Sequence, residues 1–524
     1  MEIIKSIRGF IAPRREAVLG GYSRGDLWQS RLWLFALLYL AGLFAAGAMF
    51  AYLGANVLMP MSGILAALAL LVVWALPESK NPPLPWIRRL LFGLLIALLF
   101  WPDYLAFDLP GLPWITALRM FGVPLAIAFL ISLSVSQEFR DSLRERLAVT
   151  TWVNRFLIIF SVIAFVSIGL SSDFGQSINK FVVAFLNWFI VFYAAVWVFS
   201  QPGNATKLAY IFWFFAVLAC LVGLEEWRLQ QVPWANRIPS FLAIDDPIIQ
   251  RILTGKSRAA TGIYRLQGKF TTPLGFAEFL AFTTSFVLYF VVYGKGVFVR
   301  VAALATIPLV FMTIIRTDSR LGAAGFLVSF LLFLAAWSIT RWRQDRGSLF
   351  GPALTLAYPI IFATFMVATL VVGRLRAMVW GTKAQSFSSQ AREAQIEMGL
   401  PMIWSNPLGY GIGQGAETLN YRNLAGVLTI DSYYLSLGLE YGVVGFLIYA
   451  AVFFSALLYG LSFLLKAHTQ EHLLLIPMMA SLTVFVIVKS VFSQQDNHPM
   501  VFLTLGALCA ICWRIHKEVG NRPS

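Results

Sequence analysis

Hydrophobic residues in this chain do not alternate with polar ones; they come in runs. About fourteen apolar segments follow one another, near 32–53, 60–77, 88–102, 113–135, 154–171, 181–200, 207–225, 273–293, 301–316, 321–340, 352–373, 433–463, 473–492 and 499–514. Most are long enough for a helix to cross a bilayer, which takes about 20 residues. They are not the ten-residue alternating stretches of an outer-membrane barrel. The twelfth is long, and Gly438, Gly442 and Gly445 are expected to break or tilt it. The expected fold class is all-α, a polytopic bundle of about 14 transmembrane helices. Two polar stretches interrupt it, Glu225–Thr272 and Arg374–Ser432.

Charge orients the bundle. Of 524 residues, 59% are hydrophobic and 12% charged, with a formal net charge of +15. Such a balance can signal nucleic-acid binding, but here the basic residues punctuate the apolar runs, as the positive-inside rule requires. With residues 1–31 read as a basic cytoplasmic segment, not a signal peptide, the connections alternate basic and acidic or neutral through every segment. Both termini then lie in the cytoplasm. Both polar stretches and the Thr317–Arg320 turn lie outside. The expected organisation is scaffold helices over 32–226, a first outer loop at 227–272, helices over 273–373, a second outer loop with a surface helix at 374–432, helices over 433–514 and a tail at 515–524.

Little else suggests a prosthetic group. Cys220, Cys509 and Cys512 sit within apolar runs and read as packing residues. His468, His472, His498 and His516 lie near the ends of the last helices without H-E-x-x-H spacing. No metal site and no cofactor are expected.

The outer stretches concentrate cations. Arg258, Arg265 and Lys269 precede the helix that begins at Pro273, where backbone N–H groups and the helix dipole favour anions; the bland alternative is a loop snorkelling to lipid headgroups. Glu278 follows about one turn inside, where a carboxylate needs a partner; pairing with a nearby arginine and a catalytic role both stand. Arg316 and Arg320 bracket a polar turn, and arginine's planar fork suits phosphate oxygens. Arg392 lies on a good helix over 389–398, expected at the membrane surface. Four glycines between Gly409 and Gly415 imply a sharply turning loop that a ligand can approach closely, with no Walker lysine for a nucleotide. Asp431 closes the stretch, either as the cap of the next helix or as a base.

In this order the motifs resemble the O-antigen ligase/polymerase superfamily, which includes Wzy-type polysaccharide polymerases, O-antigen ligases and exopolysaccharide polymerases. They are Arg265 to Ala277, Ser319-Arg320-x-Gly322, Arg392 followed by Trp404-x-Asn406-Pro407-Leu408-x-Tyr410-Gly411, and Asp431-x-x-Tyr434-Leu435 running to Glu440 and Gly445. The likeness spans roughly 258–450. It implies a GT-C-like fold in the bacterial inner membrane and metal-independent glycosyl transfer on the periplasmic face. It implies a glycan donor on undecaprenyl diphosphate, a glycan acceptor, surrounding lipid, and chain-length or export proteins as further partners, with no nucleic acid. Arg258, Arg265, Arg320 and Arg392 are the candidate diphosphate ligands, and Asp431, Glu278 and Glu440 the candidate catalytic carboxylates. Ligases of the family usually open the last motif with His-Asn; here it is Asp431-Ser432, which leans towards a polymerase. Ligase-type transfer of a finished glycan, a lipid-linked glycan transporter and a non-catalytic export subunit are the alternatives.

Overall fold

The computed structural model describes residues 68–79, 81–102, 104–107, 114–242, 247–253, 256–257, 262, 264–380, 386–423 and 426–520. The expected basic leader and first apolar segment lie outside these, as does Arg258. The chain is a polytopic all-α membrane protein. Among the described residues, ten helices are long and apolar enough to span a bilayer. Pro273–Tyr293 has 21 residues, and at 1.5 Å per residue it reaches about 31 Å, the thickness of a hydrocarbon core.

Two compact units form. The first includes most of α1 (Leu84–Phe100), α2 (Ala117–Val135) and the start of α3 (Gln137–Ala148). A two-residue strand pair, Ala106–Phe107 with Ile115–Thr116, precedes α2. Arg140 closes the carbonyl end of α2 by donating to Leu133 O and Ser134 O, and it pairs with Glu78 at 2.8 Å.

The second unit holds α4 (Thr151–Leu170), α5 (Phe174–Phe199), α6 (Asn204–Leu229), α7 (Pro247–Leu253), α8 (Pro273–Tyr293), α9 (Val297–Arg316), α10 (Arg320–Gln344) and α11 (Phe350–Val371). The short α12 (Gly373–Val379), α13 (Ser386–Ser405) and α14 (Gly415–Leu419) follow. The unit ends with α15 (Tyr433–Leu464), α16 (Leu475–Val488) and α17 (His498–Gly520). Helices α8 and α17 are apolar on every side and are the unit's interior, 89% and 94% buried over their membrane-length windows; α11 is 6% buried and faces outward. Small residues bring α8 and α10 close: Gly322 and Gly325 meet the methyls of Ala277 and Ala281, and Ser329 donates to Ala281 O.

The expected break in the twelfth segment falls at Gly442, with φ 68° and ψ −174° inside α15. A Cβ there would sit 1.9 Å from Pro407 O, so only glycine fits. The break leaves carbonyls and an N–H without helical partners, and the 407–411 loop supplies them. Tyr410 N donates to Leu439 O at 2.8 Å, Gly411 N donates to Glu440 O at 3.1 Å, and Val443 N donates to Pro407 O at 3.1 Å. The glycine loop does turn sharply, with Gly409 at φ 84°, and protein atoms approach it closely: α15 at Gly409 and Gly415, Ser167 and Ser171 at Gly411, and Lys180 at Gly413.

Candidate functional site

The first polar stretch begins inside a helix, because α6 continues to Leu229. That places Glu226 in the interior, fully buried. Its carboxylate accepts from Tyr264 Oη at 2.8 Å, Gln267 N at 3.0 Å and Gly268 N at 2.6 Å. Three donors on one buried carboxylate fix the returning end of the loop. The strand Tyr264–Arg265, paired with Lys256–Ser257, is thereby pressed against the turn after α9. Leu266 N donates to Arg316 O at 3.2 Å, and Arg265 Nε donates to Thr317 O at 3.0 Å. Lys269, also a candidate anion ligand, is buried with its ammonium 4.4 Å from the centre of the Phe270 ring.

The Thr317–Arg320 turn links this strand to the second polar stretch. Asp318 takes φ 50°, and Ser319 caps α10 by accepting from Gly322 N at 3.1 Å. Arg320 is then the first residue of α10. Its guanidinium donates to Trp380 O at 3.0 Å and to Ser389 Oγ at 3.3 Å. Ser389 and Arg392 lie three apart on α13 and so share a face. The Arg392 guanidinium acts electrostatically on Asp431.

Helix α13 is docked rather than merely lying on a surface. Gln395, Gly399 and Ile403, four apart, are buried; Ile403 joins Leu419, Leu435 and Leu439 in a small apolar cluster. Ile396, Met398, Leu400 and Trp404 remain exposed on the other side, an apolar flank of the kind that meets lipid. Gln395 accepts from Asp431 N at 2.9 Å and so sets where that residue sits. Ser432, not Asp431, caps α15, accepting from Leu435 N. The Asp431 side chain is therefore not engaged as a cap. It is half-buried, and burial holds its carboxyl above the ordinary carboxylate range; Arg392 and the Thr429 hydroxyl pull against that rise without cancelling it.

Arg265, Arg320, Arg392 and Asp431 thus follow one continuous seam across three segments of chain. The other two candidate carboxylates do not join it. Glu278, 1% exposed, has Lys489 Nζ at 3.0 and 3.1 Å from its two oxygens and accepts from Asn497 Nδ2 at 3.2 Å. Its partner is a lysine from the end of α16, not the arginine expected. Lys489 also donates to Gln494 O, so its charge is satisfied in the interior. Glu440, 7% exposed, accepts from Ser436 Oγ at 2.9 Å and faces the N–H groups of Gly413 and Gly415. Sequence reasoning missed Glu226, Gln395 and the use of Lys489. The available signals were an acidic residue near the end of an apolar run and a glutamine three residues after Arg392.

Residues 304–450 match the family model described as O-antigen ligase. No curated protein matches the chain. The matched span contains Arg320, Arg392, Asp431 and Glu440, while Arg265 and Glu278 precede it. That match supports the resemblance read from the motifs: residues 304–450 of this polytopic membrane protein are similar to the O-antigen ligase family.

Proposed function

We propose that the chain is a glycosyltransferase that polymerises lipid-diphosphate-linked oligosaccharide repeat units on the outer face of the bacterial inner membrane. The observation that carries this reading is the seam: Arg392 acts on the half-buried Asp431, and contacts through Ser389 and the Thr317–Arg320 turn link that pair to Arg320 and Arg265. An acceptor hydroxyl attacks the anomeric carbon of the donor. The new C–O bond forms as the bond from that carbon to the phosphate oxygen breaks, and the lipid diphosphate leaves with the electron pair. The hydroxyl proton passes to Asp431, whose raised pKa makes it a better base than an ordinary aspartate. Charge grows on the leaving diphosphate. Arg265, Arg320 and Arg392, already oriented by Thr317 O, Trp380 O, Ser389 and Asp431, stabilise it without reorganising. Arg258 would add to this set from the preceding residues.

The experiment is direct. Purified protein in lipid, given a lipid-diphosphate oligosaccharide and no gradient, should lengthen the glycan, and should do so in excess chelator. Transfer of an intact long glycan to a different acceptor would make it a ligase. Substrate crossing a vesicle with no new glycosidic bond would make it a transporter and overturn the proposal. In a deletion strain, single repeats accumulating on the lipid carrier point to the missing polymerase; full-length chains point to a missing ligase.

A further inference from the structure

At the far end of α15 from Asp431, three side chains meet that the seam does not use. Helix α15 has 32 residues, so this end lies on the order of 40 Å away, allowing for the break at Gly442. His468 and His472 stand on the connection between α15 and α16, and Glu518 on the last turn of α17. His468 Nε2 is 3.1 Å from one Glu518 oxygen, and His472 Nε2 is 3.4 Å from the other. One donor atom from each of the three lies within 4.8 Å of the others.

The proton positions make the cluster informative. His468 Nδ1 is 3.2 Å from Lys466 O, and a carbonyl only accepts, so Nδ1 carries a proton. In the neutral ring Nε2 is then a lone pair aimed at a carboxylate. Two such atoms at 3.1 Å repel unless a proton or a metal cation lies between them. His472 poses the same problem on the other oxygen. It is fully buried, its Nδ1 has no hydrogen-bond partner, and its Nε2 faces the Glu518 carboxylate at 3.4 Å. Arg514, a neighbouring cation, is held closer to Glu471, at 2.8 Å, than to Glu518, at 4.0 Å. Ligands about 2.0–2.1 Å from a tetrahedral zinc stand about 3.3 Å apart; the two separations here, each to a different Glu518 oxygen, and the 4.8 Å limit on the whole set leave the three within small side-chain rotations of one ion.

We propose that His468, His472 and Glu518 form a divalent-cation site of the zinc-binding class, with water completing the coordination. It ties the α15–α16 connection to the final helix and has no part in the transfer chemistry. The Lys466 carbonyl fixes the tautomer, as a supporting partner does at a metal-bound histidine. Sequence spacing hid the site because Glu518 is 50 residues beyond His468.

The test uses the full chain in detergent, stripped with chelator and titrated with zinc by calorimetry and with cobalt by visible absorption. One equivalent should bind with a micromolar or tighter dissociation constant, and cobalt should give the intense bands of a four-coordinate site. His472→Ala and His468→Ala should each weaken zinc binding at least tenfold, whereas His516→Ala should not. Glu518→Gln, at a partly exposed helix end, keeps the test valid should the buried histidine variant fold poorly. No stoichiometric binding overturns the proposal: the histidines then simply hold protons against Glu518. Binding of equal strength in all variants overturns it equally, as an adventitious surface ion.

Discussion

Two polar regions of the second unit handle charge in opposite ways. Around Glu278 the charge is sealed: lysine, asparagine and carboxylate satisfy one another with no exposed surface. Along the seam the charges are half-buried and held mostly through backbone carbonyls and a hydroxyl, with three cations to one candidate carboxylate. The first arrangement pairs its two buried charges directly, with Asp496 close enough to act on both. The second is partly exposed near a polar boundary, and it is there that the proposed function seats an anion. Exposure and balance, more than the mere presence of a carboxylate, separate Asp431 from Glu278 and Glu440.

That contrast can be broken by substitution. The largest effect is expected at the sealed pair. Glu278→Ala or Lys489→Ala leaves a buried charge without its partner and should cost about 3–5 kcal/mol of stability, read as lost folded protein or a lowered Tm. A Glu278→Leu, Lys489→Met double variant should recover much of that; if either single variant keeps full stability, the pair is not sealed as described.

Asp431→Asn should behave in the reverse manner, with Tm near the parent and glycan lengthening reduced about 100-fold or more. The pH profile sharpens this. The base must be ionised, and burial raises its pKa, so activity should fall on acidification through a value above the ordinary aspartate range of about 3.9. Arg392 opposes that rise, so Arg392→Gln should move the acidic limb to still higher pH. A limb that moves down, or stays in Asp431→Asn, would assign the base elsewhere.

Arg320→Ala should lower turnover by about 10- to 100-fold through weaker charge stabilisation, with the protein still inserted. Wild-type activity surviving in both Arg320→Ala and Arg392→Ala enzymes removes the arginines from the chemistry. The smallest effect is expected from Glu440→Gln, which keeps the shape of a buried acceptor already served by Ser436: a stability loss near 1 kcal/mol and little change in rate.

Much of the fold was legible because it is written locally. Runs such as 273–293 and 433–463 announce membrane helices by length alone, and Gly442 announced the break. The candidates of the seam were legible as residue types in polar stretches. Their partners were not, since partners are chosen by tertiary packing: Lys489 meets Glu278 across 211 residues, and Glu226 reaches back to the segment 38 to 42 residues later. The cap shows the same limit on a smaller scale. Both Asp431 and Ser432 are good cap residues, and only backbone geometry assigns the role to Ser432. The glycine loop misled for a related reason. Close approach is legible in glycines, but the identity of what approaches is not.

The break at Gly442 has a kinetic corollary. While Tyr410 and Gly411 stay in place, the interrupted carbonyls of Leu439 and Glu440 are paired; pulling that loop away would strand them in apolar surroundings at several kcal/mol each. Residues 407–411 are therefore costly to displace as a swinging gate. They belong to the rigid wall, folded together with the helix they mend.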